Sequence, residues 1–315
     1  MRHDLTLHVP GYDIPAALDL PGGERIGGVL LVPGSLFSDV NGDYPAWNVF
    51  PHVYGHLAQQ MAVRGLAVFR FAKLGPGTGS VETDAAQAKA IRNWPGRMRI
   101  ARAALEAFRA ALRERGAAVP RFVLAGHSEG AVVVSALGRE GVDADGIVLL
   151  SGPSVGILGI MIEQVRAMTA PGGDGAALAT LEAVVACIRK GEAIPDELRT
   201  AASGPFGAGA LIAMPPDGLT YMRECDAVDP VATIAAVGKP VLIIQGGRDS
   251  SVPPHHADRL RAGRVAQRTA YSFFPELQHM YKNVPMGTPD MEAFGFPGET
   301  DPRVADAIAD WTRTL

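Results

Sequence analysis

Short apolar runs alternate with stretches of helical periodicity along most of the chain, and this alternation restricts the fold more than any other feature. Buried strands are predicted at GVLLVPG (28–34), GLAVFRF (65–71), RFVLA (121–125), GIVLLS (146–151) and PVLIIQ (240–245). Helices are predicted between them at 47–65, 93–116 and 131–140, where apolar residues recur every three or four positions. Strands joined by helices pair in parallel, so we predict an α/β fold with a mostly parallel sheet and helices on both faces.

The two ends of the chain extend this pattern. Strands at 5–9 and 14–20, separated by Pro-Gly-Tyr, predict an opening hairpin. Near the C-terminus, helices at 254–262 and 302–314 flank a strand at 269–274.

The middle of the chain interrupts the alternation. After residue 151 the sequence becomes rich in Ala, Gly and Met, with helical stretches predicted at 157–168, 177–190 and 219–226. We predict an α/β core formed by residues 1–154 and 229–315, with a helical cap inserted at 155–228. The length of 315 residues suits one core that carries such an insertion.

Charge and hydropathy exclude several classes of function. The formal net charge is −4 and the two signs are mixed along the chain, so no basic stripe predicts nucleic-acid binding. No stretch of about 18 apolar residues predicts a membrane span, and the N-terminus lacks the apolar core of a signal peptide. We therefore expect a cytoplasmic protein; the sequence leaves a homodimer open. Cys187 and Cys225 are too few for a disulfide framework and are interpreted as packing residues.

Two pentapeptides match the G-x-S-x-G pattern of a serine nucleophile, GHSEG (126–130) and GPSVG (152–156). Ser128 follows a predicted strand and precedes a predicted helix, and its flanking glycines permit a sharp turn. Ser154 also follows a strand, but Pro153 fixes φ and removes an amide just before it. We therefore predict Ser128 as the nucleophile.

A serine nucleophile needs an imidazole base and a carboxylate that orients it. Asp249 directly follows the strand PVLIIQ, and His279 lies on the loop after the last predicted strand. Both positions bring polar side chains to the carboxyl edge of the sheet, where ligands of open α/β sheets bind. We predict a catalytic triad of Ser128, Asp249 and His279.

The other histidines that could compete for these roles are assigned elsewhere. His127 is interpreted as packing or hydrogen bonding beneath the turn. His255 and His256 lie too soon after Asp249 to be oriented by it toward Ser128. His52 and His56 have i, i+4 spacing, but HVYGH lacks the glutamate of H-E-x-x-H, so no metal site is predicted.

Backbone amides are expected to stabilise the oxyanion. One donor is predicted at Glu129, the residue after the nucleophile, and the other at Ser35 or Leu36 in the loop after GVLLV. The side chain of Glu129 is interpreted as a first-turn carboxylate that the helix dipole favours; contact with substrate or a pair with Lys73 or Arg97 is the alternative.

The glycine-rich loop LGPGTGS (74–80) does not indicate a nucleotide site. A dinucleotide fingerprint needs glycine where Ser80 stands and a helix that opens at once, and a P-loop needs a following Gly-Lys-Ser or Gly-Lys-Thr. No cofactor and no metal are therefore expected.

With these residues placed, the chain resembles the α/β-hydrolase superfamily, in particular cap-bearing bacterial serine esterases related to prolyl-oligopeptidase-like hydrolases. The segments that carry the resemblance are LLVPGSLFSDVNGD, RGLAVFRFAKLGPGTGS, FVLAGHSEGA, DPVATIAAVGKPVLIIQGGRDSSVPP and LQHMYK. It implies an eight-stranded, mostly parallel sheet, no cofactor, and hydrolysis through an acyl-enzyme. The chain departs from the family's usual pattern in two places: Pro33-Gly34 stands where His-Gly is usual, and Ala72-Lys73-Leu74 replaces an Asp-x-Arg-like pattern.

The leading functional prediction is a serine esterase that acts on a small-molecule carboxylic ester. Met161, Met214 and Tyr221, in the predicted cap, are expected to line an apolar substrate pocket. A thioesterase, an amidase or an acyltransferase with the same triad remains an alternative. A non-hydrolytic ligand-binding protein on the same fold is the alternative from another class.

Overall fold

A computed structural model describes residues 1–169, 175–202, 206–264 and 267–315, which contain nine strands and thirteen α-helices. The strands are β1 (Arg2–Val9), β2 (Tyr12–Asp19), β3 (Gly27–Val32), β4 (Leu66–Phe71), β5 (Val81–Glu82), β6 (Phe122–His127), β7 (Gly146–Leu150), β8 (Val241–Gly246) and β9 (Thr269–Phe274). The helices of the first half are α1 (Val53–Val63), α2 (Ala85–Ile91), α3 (Trp94–Glu114) and α4 (Glu129–Arg139). Those that follow are α5 (Ile157–Met168), α6 (Ala176–Lys190), α7 (Asp196–Ala201), α8 (Ala208–Ile212), α9 (Pro216–Asp226), α10 (Pro230–Ala235), α11 (His255–Ala262), α12 (Asp290–Phe294) and α13 (Pro302–Arg313).

One sheet contains all nine of these strands. The order is β1-β2-β4-β3-β6-β7-β8-β9, and the short β5 pairs with β2. Strands β4, β3, β6, β7, β8 and β9 are mutually parallel, and β2 runs antiparallel to β1 and β4. The α/β fold with a mostly parallel sheet is thus confirmed. The ninth strand, beyond the expected eight, has two residues and follows the glycine-rich loop, whose Gly77 and Gly79 have positive φ.

Two buried apolar layers cover the sheet, one on each face. Val29 and Leu31 of β3 belong to one layer, which α1 and α13 complete. Leu30 and Val32 belong to the other, which α3 and α4 complete. Neighbouring residues of a strand point to opposite faces, so a strand covered on both faces is apolar throughout, as its sequence predicted. Complete burial of each such side chain contributes roughly 1.5–3 kcal/mol to the free energy of unfolding.

Helix α3 shows how local sequence sets an element near the site. Its Asn93 cap accepts the amide proton of Gly96 at 2.8 Å, and Pro95 occupies the first turn. The helix ends where Gly116 adopts φ 57°, and the amide of Ala117 returns to the carbonyl of Leu112 at 2.9 Å. These caps fix the register of the helix, which buries Arg97 next to the candidate active site.

Three predicted helices begin two or more residues from the predicted start, and one of them is the stretch at 219–226, which begins at Pro216 as α9. The stretch at 47–65 becomes helical only from Val53, because the chain first makes a 3-10 turn at Pro45–Trp47 and passes through positive φ at Asn48 and His52. Helix α4 starts at Glu129, two residues before the predicted start, directly after Ser128.

Between β7 and β8 the chain forms helices α5–α9 and leaves the sheet. This stretch has a buried cluster of its own, built on Leu158, Leu181, Val184, Leu211 and Met222. The cap was predicted over 155–228, of which residues 170–174 and 203–205 lie outside the described residues, and its role as a cap stays a prediction. No helix among the described residues combines the length and apolarity that crossing a membrane requires. Cys187 and Cys225 are both unpaired.

Candidate active site

Ser128 lies at the sharp turn between β6 and α4. Its backbone has φ 55° and ψ −123°, a conformation that is rare for a residue with a side chain. Glycine is needed on both sides: a Cβ on Gly126 would lie 2.1 Å from the carbonyl oxygen of Gly130, and a Cβ on Gly130 would lie 2.4 Å from that of Val32. Strain of this kind concentrates at functional positions, and a serine on such a turn is exposed beyond the end of the strand.

Asp249 and His279 form a buried hydrogen-bonded pair on two loops that follow β8 and β9. Nδ1 of His279 lies 2.8 Å from Oδ2 of Asp249. The other oxygen, Oδ1, accepts the amide proton of Val252 at 2.8 Å, which fixes the carboxylate. An ionised carboxylate only accepts hydrogen bonds, so Nδ1 of His279 carries the ring proton and Nε2 is left as the basic nitrogen.

Ser128 and His279 line the same large cavity, of about 1010 Å³, which lies between the sheet edge and helices α5, α8 and α9. Asp249 is buried behind His279. In the described part of the chain no hydrogen bond joins the Ser128 hydroxyl to His279. Catalytic hydrogen bonds are often long without substrate, so this separation is compatible with the predicted roles.

The backbone amides predicted as oxyanion donors flank Ser128. The amide of Glu129 opens α4, and Ser35 and Leu36 belong to the loop after β3, which also lines the cavity. Among the described residues no hydrogen bond occupies these three amides. The two segments are in close contact, because a Cβ on Gly34 would lie only 3.2 Å from that of Ser128.

A buried hydrogen-bond chain joins the loop after β3 to the His279 loop. The amide of Gly34 donates to the Tyr54 hydroxyl at 2.9 Å, and that hydroxyl lies 3.1 Å from Nδ1 of His127. Nε2 of His127 lies 3.0 Å from the carbonyl oxygen of His279. A carbonyl only accepts, so Nε2 of His127 carries the proton and Nδ1 accepts from Tyr54. Burial lowers the pKa of His127 to about 3, so the ring is neutral at physiological pH.

The carboxylate of Glu129 is buried in an ion-pair cluster. Its Oε1 lies 2.7 Å from Nζ of Lys73, 2.6 Å from the Tyr221 hydroxyl and 3.4 Å from Nε of Arg97. Burial opposes ionisation of Glu129, but Lys73 and Arg97 outweigh it and lower the pKa of the carboxyl. Burial, with Arg97 nearby, lowers the pKa of Lys73 to about 8. The interpretation of Glu129 as a simple first-turn carboxylate was therefore incomplete, and the alternative pair with Lys73 and Arg97 is present.

Ser154, in the second pentapeptide, has its own histidine and acid. Its hydroxyl lies 2.8 Å from Nδ1 of His256, and its amide donates to the same nitrogen at 3.1 Å. Nε2 of His256 lies 3.0 Å from Oε2 of Glu163. However, Ser154 is 6% exposed and does not line the cavity, whereas Ser128 does. Access for a substrate therefore favours Ser128.

One cluster among the described residues has the composition of a metal site. Glu163, His255 and His256 place one ligand atom each within 4.8 Å of one another. The amide of Ser154 donates to Nδ1 of His256, which leaves the ring proton on Nε2, the atom that a metal would need. A neutral His256 with its proton on Nε2, 3.0 Å from Glu163, suits a polar contact between α5 and α11 better than a metal. Nδ1 of His52 lies 2.6 Å from Oδ2 of Asp43, and no cluster of three possible metal ligands found in the described part of the chain includes His52 or His56.

The predicted pocket residues Met161, Met214 and Tyr221 all line the cavity. No role was predicted for Tyr54 from the sequence, and Arg97 was predicted only as a possible ion-pair partner of Glu129. The Arg97 guanidinium donates to the carbonyl of Pro33 at 2.6 Å. Together with Tyr54 it holds the loop in which Pro33-Gly34 replaces the usual His-Gly. The only sequence signal for either residue was its place in a helical stretch next to apolar positions.

Comparison with known proteins agrees with the fold. The model of a family described as the alpha/beta hydrolase family matches residues 29–293. A search of curated proteins finds no match. Among solved structures, a proline iminopeptidase-related protein from Thermus thermophilus is 18% identical, with all of both chains covered and a TM-score of 0.60.

Two further solved structures are similar over almost the whole chain. Proline iminopeptidase from Mycobacterium smegmatis is 14% identical, with 99% of this chain and 98% of that chain covered and a TM-score of 0.57. Est1E from Butyrivibrio proteoclasticus is 15% identical, with 98% and 96% covered and a TM-score of 0.53. At these identities the likeness establishes the fold alone.

Proposed function

The chain belongs to the alpha/beta hydrolase family, and on that premise we propose that it is a serine hydrolase that cleaves carboxylic esters through an acyl-enzyme on Ser128. Family membership supports hydrolase activity; the ester substrate and the triad are our proposal. One observation carries it: the strained Ser128 and the Asp249-oriented His279 line one cavity.

The mechanism follows from the protonation pattern. Nε2 of His279 takes the proton of the Ser128 hydroxyl, and the oxygen attacks the ester carbonyl. The amides of Glu129 and of Ser35, or Leu36 beside it, stabilise the oxyanion. His279 then gives the proton to the leaving alcohol, and the acyl group stays on Ser128. Water, deprotonated by His279, attacks the acyl-enzyme and releases the acid, while His279 returns the proton to the departing Ser128 oxygen.

The cavity supports an apolar substrate with a bulky or extended acyl or alcohol group. Its volume, about 1010 Å³, is at the upper end of ordinary ligand pockets. Apolar side chains form most of its wall, and the methionines among them adapt to different shapes; they include Ile157, Met161, Met168, Met214, Phe37 and Phe294. We propose that the segment 155–228 acts as the cap that supplies much of this wall.

Labelling with a fluorophosphonate tests the proposal. The wild-type protein and Ser154→Ala should be labelled at equal rates, and Ser128→Ala should stay unlabelled. Labelling of Ser128→Ala at the wild-type rate would disprove the assignment of the nucleophile. An unlabelled wild type would favour a binding protein.

A rate panel of p-nitrophenyl esters with acyl chains of increasing length, with one thioester and one anilide, then separates an esterase from a thioesterase or an amidase.

A further inference from the structure

The carboxylate of Glu129 joins three parts of the chain that surround the candidate active site. Glu129 itself follows the nucleophile, Lys73 lies on the loop after β4, Arg97 lies on α3, and Tyr221 lies on α9 above the cavity. All three partners meet the same oxygen, Oε1, whereas Oε2 is buried without a hydrogen bond among the described residues. The position of this carboxylate thus depends on a few contacts to a single atom.

The same cluster holds both segments that supply the predicted oxyanion amides. Glu129 provides one amide itself, and its side chain anchors the first turn of α4. Arg97, beside the carboxylate, donates to the carbonyl of Pro33 at 2.6 Å, two residues before Ser35. The backbone amide of Lys73 donates to the carbonyl of Ser38 at 2.9 Å in the same loop. A shift of the carboxylate would therefore move both donors relative to each other.

Tyr221 brings α9 into this cluster. It is the one described residue of the segment 155–228 whose side chain bonds to the Glu129 carboxylate. Its hydroxyl donates to Oε1 at 2.6 Å and accepts from Nζ of Lys73 at 3.1 Å, and Lys73 also lies 5.1 Å from the centre of the ring. Burial raises the pKa of Tyr221 well above its ordinary value, so the hydroxyl keeps the proton that it donates.

We propose that Tyr221 is a positioning residue whose hydroxyl couples the seating of α9 to the geometry of the oxyanion amides of Glu129 and Ser35. The inference rests on the proposed function, because it assumes that these amides stabilise an oxyanion. Removal of an oxyanion donor typically costs about 10²–10³ in rate. A donor that is displaced but still present should cost less, and we expect a loss of about tenfold.

Tyr221→Phe tests this coupling, because it keeps the ring and removes only the hydroxyl. We expect kcat to fall about tenfold for p-nitrophenyl acetate and for p-nitrophenyl decanoate alike, with KM nearly unchanged. The acetate is too short to depend on the wall of the cavity. A loss confined to the decanoate would mean that Tyr221 only contacts substrate, and a wild-type kcat on acetate would overturn the proposal.

A transition-state analogue provides a second measurement. A trifluoromethyl ketone forms a tetrahedral adduct with an active serine, and its oxygen takes the place of the oxyanion. Its inhibition constant should rise about tenfold in Tyr221→Phe, in parallel with the loss of kcat/KM. An unchanged inhibition constant would contradict the coupling.

Two further variants separate coupling from general loosening of α9. Glu224 accepts the amide proton of Trp94 at 3.0 Å and also anchors α9 to the core, but it lies outside the cluster and the cavity wall. Glu224→Ala should keep kcat on acetate within about twofold; the same loss as in Tyr221→Phe would overturn the proposal. Glu129→Gln should also lower kcat. The fold-loss of kcat in the double variant Glu129→Gln/Tyr221→Phe should be smaller than the product of the two single fold-losses, because both residues act through one contact.

Fluorophosphonate labelling distinguishes a failure of the coupling from a failure of the proposed function. If Tyr221→Phe is still labelled at Ser128 but retains wild-type turnover of acetate, the coupling is wrong and the hydrolase proposal stands. If Ser128→Ala is labelled and active like the wild type, the proposed function itself is wrong.

Discussion

His127 lies directly before Ser128, the proposed nucleophile, and donates the proton of its Nε2 to the backbone carbonyl of His279, 3.0 Å away. The same ring accepts from the Tyr54 hydroxyl, which in turn accepts the amide proton of Gly34. The loop after β3, with the second proposed oxyanion amide, and the loop with the proposed base are therefore fixed to each other through one neutral imidazole.

Removal of the Tyr54 hydroxyl should weaken this link. Tyr54→Phe leaves the amide of Gly34 and Nδ1 of His127 buried without partners, which typically costs about 1–3 kcal/mol each. We expect a lower melting temperature and a fall in kcat of about tenfold. Tyr44→Phe is the matched control, because Tyr44 is a buried tyrosine whose hydroxyl makes no hydrogen bond among the described residues. Equal losses in the two variants would show that the hydroxyl of Tyr54 has no special role.

The orientation of His279 by Asp249 should matter more than any contact in the cavity wall. Asp249→Asn keeps the size of the side chain and an oxygen for the amide of Val252, but its NH₂ group would face Nδ1 and move the ring proton to Nε2. We expect kcat to fall by about 10⁴, with a folded protein by circular dichroism. Asp258→Asn, on the exposed side of α11, should keep wild-type activity. Retention of activity in Asp249→Asn would remove this residue from the triad.

The neutral state of His127 predicts a dependence of stability on pH. Its pKa in the folded protein is about 3, below the ordinary value of 6.5, so the unfolded chain binds one more proton between these pH values. This contribution to the free energy of unfolding is complete above about pH 6.5 and is lost as the pH falls toward 3. The slope from this residue is at most about 1.4 kcal/mol per pH unit. Urea unfolding at several pH values should show a shallower slope for His127→Gln than for the wild type, and identical slopes would contradict the assignment.

The size of the cavity should set the preferred length of the substrate. Met161→Trp and Met214→Trp add bulk at the wall, so kcat/KM should fall for p-nitrophenyl decanoate and stay near the wild-type value for the acetate. The control is Met286→Trp, since Met286 is 85% exposed and lies outside the cavity wall. A decanoate-to-acetate ratio that is unchanged in both cavity variants would show that the substrate binds elsewhere.

Much of the fold could be predicted because the strands of the sheet are buried on both faces. A strand such as β3 is apolar at every position, so its limits are visible in the sequence to within a residue or two. Strand β5 and helices α2, α7, α8, α10 and α12 were missed, since β5 has two residues and these helices have only five to seven. A local signal for α2 did exist: Asp84 accepts the amide proton of Gln87, an N-cap followed by a glutamine at the third position.

Some residues of the candidate site could also be predicted from the sequence, and others could not. Ser128, Asp249 and His279 could be predicted because each follows a predicted strand, and the ends of parallel strands meet at one edge. Their catalytic roles stay predictions until they are tested. Tyr54 could not be assigned, because its partners Gly34 and His127 are 20 and 73 residues away in the sequence. The sequence likewise contained no sign that Tyr221 reaches Glu129, since that contact depends on how α9 lies over the sheet.

The buried cluster within α5–α9 has a consequence for protein engineering. A segment with its own apolar core, entered after β7 and left before β8, is the natural unit to exchange when a chimera with another substrate range is built. Most of the residues of α5–α9 that line the cavity could be redesigned without repacking the sheet. A transplanted segment would nevertheless have to bring a hydroxyl donor to the position of the Tyr221 side chain, because otherwise the buried carboxylate of Glu129 would lose one of its donors.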